Sequence, residues 1–218
     1  MKIFTRVCLL LGVAVLASGC ATPPGYDYTA FRESRPASIL ILPPLNETPE
    51  IIAPYGMLAQ MTRPLAESGY YVMPVALVNE TFRQNGLDSA ADIHQVALPK
   101  LREIFGADAV LYVTVTQYGS SYTVLSSSIK VAAKASLVDA RTGTLLWSGS
   151  VLATDQNGNN NNGAGLAGML ISAALKQVVN NLSDATYPVA GQASAQLLWA
   201  GRSNGILHGP RAPQSDVE

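Results

Sequence analysis

The sequence predicts a single α/β domain in which a mixed β-sheet packs against helices. A short apolar run at residues 37–42 ends in Pro43-Pro44 and is typical of a buried strand. Strand and helix patterns alternate up to about residue 106, which favours parallel strands joined by crossover helices. Residues 108–153 then show strand patterns separated by turn signals, which is typical of an antiparallel meander.

Residues 1–19 have the pattern of a secretory signal peptide. Lys2 and Arg6 form a basic start, residues 7–16 are apolar, and small residues precede Cys20. The apolar stretch is shorter than the roughly 20 residues that a membrane-spanning helix needs. The sequence Leu-Ala-Ser-Gly-Cys at residues 16–20 resembles a lipobox. We therefore expect cleavage before Cys20 and attachment of lipid to its thiol, with a plain secreted protein as the alternative.

A lipidated Cys20 would hold the chain on a membrane, because two or three acyl chains bind more lastingly than one. In bacterial lipoproteins, an Asp directly after the lipidated cysteine resembles an inner-membrane retention signal. This chain has Ala21 at that position instead. We therefore expect the outer membrane and its periplasmic face. Cys8 leaves with the signal peptide, so a lipidated Cys20 leaves no thiol for a disulfide.

Residues 20–36 are predicted to form a lipidated N-terminus and tether, and residues 37–200 the domain. The tether contains three aromatic residues, Tyr26, Tyr28 and Phe31. Exposed aromatic rings are normally covered. We expect these rings to pack on the domain itself, with a partner or dimer contact as the alternative.

The first strand is predicted at residues 37–42. A helix follows from Pro54 to Ser68, where Pro64 predicts a kink or an early end. The second strand, residues 70–75, should lie parallel to the first, since a helical crossover is right-handed.

The next elements are helices, at residues 76–84 and from about residue 90. Ser89 resembles the start of a capping box. Leu98-Pro99 divides the second helical stretch in two, and Gly106 ends it.

The meander is predicted to contain three strands. Residues 108–116 form the first, Gly119-Ser120-Ser121 turns the chain, and residues 122–138 form a long second strand with a bulge or break at residues 126–128. A turn at residues 139–143 leads to the third strand, residues 144–153. The asparagine-rich residues 155–163 then indicate a solvated loop.

Two helices are predicted to close the domain, at residues 164–182 and 187–199. From Gly201 onward Gly, Pro and polar residues prevail, so residues 201–218 are predicted to be a disordered tail.

Catalytic signatures are scarce. The two histidines, His94 and His208, do not form a pair in the sequence, and no G-x-S-x-G elbow occurs. We therefore predict a protein that is not an enzyme and has no metal site and no cofactor. The chain has 14 basic and 15 acidic residues, and loss of Lys2 and Arg6 leaves 12 basic ones. A slightly acidic chain without a basic run is not expected to bind nucleic acid.

One glycine pattern, residues 163–168, fits the G-x-G-x-x-G dinucleotide fingerprint. That fingerprint needs a βαβ unit, whereas here the strand before it belongs to the meander and no apolar strand follows Asp184. We therefore interpret Gly165 and Gly168 as positions of close helix packing, on the sheet or on a second subunit.

Four segments carry a resemblance to a known family: residues 39–44 (ILILPP), Asn46-Glu47, residues 106–110 (GADAV) and residues 139–147 (DARTGTLLW). The chain resembles uncharacterised bacterial lipoproteins whose domain is similar to the N-terminal domain of TolB and, more distantly, to CsgG. The resemblance implies an α/β domain with a mixed sheet, a homodimer, and service to an envelope assembly or transport system. It implies no catalytic residue.

Three functional hypotheses follow. The first is an outer-membrane lipoprotein that acts as a periplasmic binding or scaffold component, with other envelope proteins and a second copy as its partners. The second is a subunit of a CsgG-like outer-membrane secretion pore. The third, an envelope enzyme, lacks the usual signatures.

Overall fold

The computed structural model describes residues 26–123, 126–155 and 185–213. Over these ranges the predicted single α/β domain with a mixed sheet packed against helices is confirmed. The helices are α1 (Thr29–Ser34), α2 (Ala53–Glu67), α3 (Val75–Gln84), α4 (Ala90–Ile93), α5 (Leu98–Phe105) and α6 (Thr186–Leu198). The strands are β1 (Ser38–Ile41), β2 (Leu45–Asn46), β3 (Tyr71–Val72), β4 (Ala109–Thr123), β5 (Ser126–Asp139) and β6 (Leu145–Thr154).

The sheet has the strand order β3-β1-β4-β5-β6, and the short β2 also pairs with β4. β1 is parallel to β3, with α2 as the crossover, as predicted, and β1 is also parallel to β4. β4, β5 and β6 form the predicted antiparallel meander. The parallel half therefore has its carboxyl ends at one edge of the sheet, where α/β folds commonly bind ligands.

A break after β1 shapes that edge. The Leu42 amide donates to the Leu111 carbonyl at 3.1 Å, and the Glu47 amide donates to the Val115 carbonyl at 2.9 Å. Pro43 and Pro44 lie between these two hydrogen-bonded residues, and neither proline has an amide hydrogen to donate to the β-ladder. The chain therefore leaves β4 at the prolines and rejoins it as β2.

The side chains of β1 are buried on both faces of the sheet, which explains its continuous apolar sequence. Ile39 and Ile41 pack on the face covered by α2 and α6. Leu40 and Leu42 pack on the face covered by the helices between β3 and β4. The first cluster includes Met57, Met61, Leu65, Trp147 and Leu198, and the second includes Val78, Phe82, Ile93 and Leu101.

Helix α2 does not end early at Pro64, so that part of the prediction is wrong. Pro64 and Leu65 are both buried, and the helix continues to Glu67. The carbonyl of Pro64 accepts hydrogen bonds from the amide of Ser68 at 3.0 Å and from its hydroxyl at 2.6 Å. Burial and these bonds offset the amide hydrogen bond that proline cannot make.

The predicted turn at Gly119-Ser120-Ser121 is also wrong. β4 runs on to Thr123, and its pairing with β5 continues to the Thr123–Ser126 pair. Gly119 has a φ of +116°, which glycine adopts without strain, so the strand absorbs it. The register shift lies in β4 between Val115 and Gln117 and not at residues 126–128 of β5.

Residues 201–213 pack on the domain, so the prediction of a disordered tail is wrong for this part. Ile206 is 1% exposed. The Trp147 indole donates to the Asn204 carbonyl at 2.9 Å, and the Gly209 amide donates to the Ser68 carbonyl at 2.8 Å. An irregular segment is ordered here because buried donors and acceptors of the core use its backbone groups.

Several predictions lie outside the described residues. They concern the signal peptide, Cys20, Ala21, and the helix at residues 164–182 with Gly165 and Gly168. Among the helices that the structure describes, none is both long and apolar enough to cross a bilayer.

Candidate docking site

The aromatic residues of the predicted tether pack on the domain itself, which was the favoured prediction. Phe31, in α1, is buried and belongs to the core cluster on the face of the sheet that α2 and α6 cover. The Tyr26 hydroxyl accepts a hydrogen bond from the Ser148 amide at 3.0 Å, and the Tyr28 hydroxyl donates to the Gly205 carbonyl. The domain therefore begins by residue 26 and not at residue 37.

Helix α1 is held to the meander by a buried carboxylate. Asp139 accepts hydrogen bonds from the Ser34 hydroxyl at 2.5 Å and from the amides of Arg141 and Thr142, both at 2.8 Å. Burial raises the pKa of Asp139, but the hydrogen bonds outweigh burial and hold the pKa below its ordinary value. A carboxylate that accepts these hydrogen bonds has a structural role, because it joins α1 to the turn after β5.

His94 is a packing residue at the sheet break. Its Nε2 lies 2.9 Å from the Pro43 carbonyl, and its ring packs edge-on against Tyr112 with centroids 5.3 Å apart. Since a carbonyl can only accept, the neutral imidazole donates from Nε2. Burial lowers the pKa of His94, and the bond to Pro43 opposes this. The histidine thus fixes the sheet break after β1.

An apolar groove lies beside this break, at the carboxyl ends of β1 and β3. Its volume is about 220 Å³. Pro43 and Pro44 form one wall, and the first turns of α2, α3 and α4 form the others. The lining is largely apolar, with Asn79 and Asp88 as polar groups: Pro43, Pro44, Pro54, Tyr55, Leu58, Val75, Ala76, Asn79, Asp88, Ala90 and Ile93.

The start of α2 brings apolar side chains to this groove. Pro54 lies in the first turn of α2, a position that suits proline, and Ile51 and Ile52 directly precede the helix. Ile51 is 85% exposed, and Tyr55, which lines the groove, is 63% exposed. Several large apolar side chains exposed around one cavity are typical of a contact surface for another molecule.

The loops around the groove carry acidic residues and no Lys or Arg, and Arg83 of α3 interacts electrostatically with Asp88. Its loops carry Glu47, Glu50, Asp88 and Asp92. Residues 43–55, 73–79 and 85–95 contain no Lys or Arg. In the parts of the chain described here, no three His, Cys, Asp or Glu side chains are placed to hold a metal ion. The arrangement suits an apolar partner surface with a basic margin.

Sequence patterns did not reveal this site. Of the residues predicted to contact a partner, Tyr26, Tyr28 and Phe31 lie in the α1 region, and Gly165 and Gly168 are outside the described residues. The groove is assembled from three separate segments. Two local signals were available in the sequence: Ile51-Ile52 before a helix start, and two prolines directly after a buried strand.

Comparisons with known proteins bear on identity. The family model described as "Putative lipoprotein GNA1162-like" matches residues 26–211. A Neisseria meningitidis serogroup B protein, "Putative lipoprotein NMB1124/NMB1162", is 54% identical over 207 residues, which are 93% of this chain and 95% of the relative. The crystal structure of lipoprotein GNA1162 from Neisseria meningitidis is 56% identical and has a TM-score of 0.53. The match covers 67% of this chain and all of that one. The PelC dodecamer from Paraburkholderia phytofirmans is 15% identical, with a TM-score of 0.44 and coverage of 74% and 84%, too distant to indicate a shared function.

Proposed function

This chain belongs to the GNA1162-like lipoprotein family, and on that premise we propose that it is a binding or scaffold lipoprotein of the outer membrane. Lipid on Cys20 holds it at the periplasmic face, and the apolar groove receives another envelope protein of an assembly or transport system. The protein is not an enzyme in this proposal, and it works as a homodimer. The apolar groove, with the exposed Tyr55 in its lining and the exposed Ile51 before the same helix, is the observation that carries the binding role.

The anchor is tested at the lipobox. Replacing Cys20 with Ala should abolish labelling by radioactive palmitate and leave an uncleaved precursor. Replacing Ala21 with Asp should leave labelling intact and move the protein to the inner-membrane fraction. Palmitate on the Cys20→Ala chain would contradict the anchor, and an unchanged membrane fraction for Ala21→Asp would contradict the sorting signal.

The binding role is tested at the groove rim. Tyr55 and Ala76 both line the groove. Tyr55→Asp and Ala76→Asp place a charge where the proposal puts an apolar contact, so each should abolish co-purification of the partner with the lipidated protein. Both side chains are exposed, so the melting temperature Tm should change little. Leu152→Asp is the matched control, because Leu152 is 53% exposed on β6. Equal loss in Leu152→Asp would contradict the assignment to the groove.

The β4–β5 hairpin favours one alternative, a subunit of a secretion pore. β6 pairs with β5 up to the Lys130–Thr154 pair, whereas β4 and β5 remain paired to Thr123–Ser126. The hairpin therefore extends beyond its neighbouring strand, and such hairpins can combine in an oligomer. The molar mass of the lipidated protein in detergent separates the two ideas. Two copies support the homodimer, and a ring of many copies supports the pore.

A further inference from the structure

We infer that the end of the domain next to the lipid anchor docks on anionic phospholipid headgroups and thereby points the apolar groove away from the membrane. This inference rests on the proposed anchoring at Cys20. The docking surface comprises residues 26–36 and 201–211, which are hydrogen-bonded to each other, and we call it the anchor-side surface.

Only a short stretch of chain joins the lipid anchor at Cys20 to the folded domain. The Tyr26 amide donates to Asn204 Oδ1 at 3.2 Å, and the Tyr26 hydroxyl accepts from the Ser148 amide at 3.0 Å. Both ends of Tyr26 are thus fixed on the domain. Five residues separate it from Cys20, and the six residue-to-residue steps of an extended chain span about 20 Å. The anchor-side surface therefore stays close to the headgroups.

The anchor-side surface carries a net positive charge. It holds four exposed arginines, Arg32, Arg35, Arg202 and Arg211, against the carboxylates of Asp27 and Glu33. Among the residues described by the structure, none of the four arginines has a carboxylate within 4.0 Å.

The arginines lie on two segments that meet. Arg32 and Arg35 line a cavity of about 330 Å³ together with Pro210. Arg211 follows Pro210 and donates to the Ala37 carbonyl at 3.3 Å. Arg202 lines a neighbouring cavity together with Tyr26. Guanidinium groups bind phosphate oxygens bidentately, so this surface matches the headgroup chemistry.

The groove end has the opposite charge, which reinforces the orientation. Glu47, Glu50, Asp88 and Asp92 surround it without a Lys or Arg in the same loops. An anionic membrane attracts the arginine end and repels the groove end. Each arginine near such a membrane strengthens docking about five-fold, so four of them suffice to fix one orientation.

Energy transfer to a labelled lipid measures this orientation. The lipidated chain is placed in vesicles of phosphatidylcholine and phosphatidylglycerol that contain an acceptor-labelled headgroup. A donor dye is attached at Ser203→Cys on the anchor-side surface or at Ala91→Cys beside the groove. Since Cys8 is cleaved off and Cys20 is acylated, the introduced thiol takes the dye. We expect stronger transfer from residue 203 than from residue 91.

Three comparisons make the test specific. The difference should shrink in pure phosphatidylcholine and in about 1 M salt, which screens charges beyond about 3 Å. It should also shrink when Arg32, Arg35, Arg202 and Arg211 become Gln. It should persist when Arg63, Arg83, Lys100 and Lys134 become Gln, which changes the net charge equally on other surfaces.

Equal transfer from the two positions in phosphatidylglycerol vesicles would overturn the inference, and so would a difference that salt and lipid charge leave unchanged. The salt and lipid comparisons use the native arginines, so they decide the matter even if a Gln variant fails to fold. Failure of the anchor looks different, because the unlipidated chain would not remain on washed vesicles at all.

Discussion

Deletion of residues 201–218 should unfold the domain or come close to it. A chain that ends at Ala200 loses the Ile206 side chain from the core. It also removes the carbonyl acceptors of three side chains: Asn204 for the Trp147 indole, Gly205 for the Tyr28 hydroxyl and Leu207 for the Tyr70 hydroxyl.

The magnitude follows from these losses. Removal of a buried Ile side chain costs about 2–5 kcal/mol. Each buried donor left without an acceptor costs about 1–3 kcal/mol. The total, about 5–14 kcal/mol, is comparable with the whole free energy of unfolding of a typical domain.

Urea and thermal unfolding of the mature chain, followed by circular dichroism, check the prediction. The chain that ends at Ala200 should show either no cooperative transition or a Tm lower by at least about 10 °C. A chain that ends at Pro213 keeps all these contacts and should match the full chain. Ile206→Ala should cost about 2–5 kcal/mol. A Tm within about 2 °C of the full chain for the Ala200 truncation would refute the reasoning.

Three further predictions concern single residues. The pKa of Asp139 is lowered in the folded state, so the stabilising effect of its carboxylate is complete above the ordinary pKa of 3.8. That effect is lost as pH falls through the folded pKa. When the unfolding free energy is measured against pH in acid, Asp139→Asn should lack this loss of stability. The pKa of His94 is also lowered, so the free energy of unfolding should decline as pH falls below 6.5. His94→Gln should remove that decline, while the Gln amide still donates to the Pro43 carbonyl. An unchanged pH profile in this variant would show that His94 is not the cause. Gly209→Ala should lower the Tm, because the new Cβ would lie 2.5 Å from the Gly69 carbonyl oxygen. Gly191→Ala should lower the Tm less, because its nearest contact is at 3.3 Å to the flexible Gln60 side chain. Equal effects of the two substitutions would contradict the close approach at Gly209.

Local signals in the sequence predicted the elements that depend on local interactions. β1 was evident because its side chains are buried on both faces. Ser89 does accept a hydrogen bond from the Asp92 amide at 3.2 Å, as expected of a cap. Gly106 adopts the left-handed conformation with φ +66° that ends α5.

Long-range contacts produced what the sequence did not predict. Residues 201–213 look like a tail by composition, and their order comes from donors such as Trp147, which is distant in the chain. Tyr26 is held by Ser148, 122 residues away. The groove likewise depends on three segments that only the sheet topology brings together. Composition and periodicity carry no information on such pairings.

Site-specific crosslinking in living cells tests the central claim most directly. A photoreactive phenylalanine analogue replaces Tyr55 or Ala76 at the groove, or the exposed Leu152 on β6 as a control. The proposed docking role predicts an adduct of the lipidated protein with one envelope protein from Tyr55 and Ala76, and none from Leu152. An adduct from Leu152 alone, or no adduct from either groove position, would contradict it.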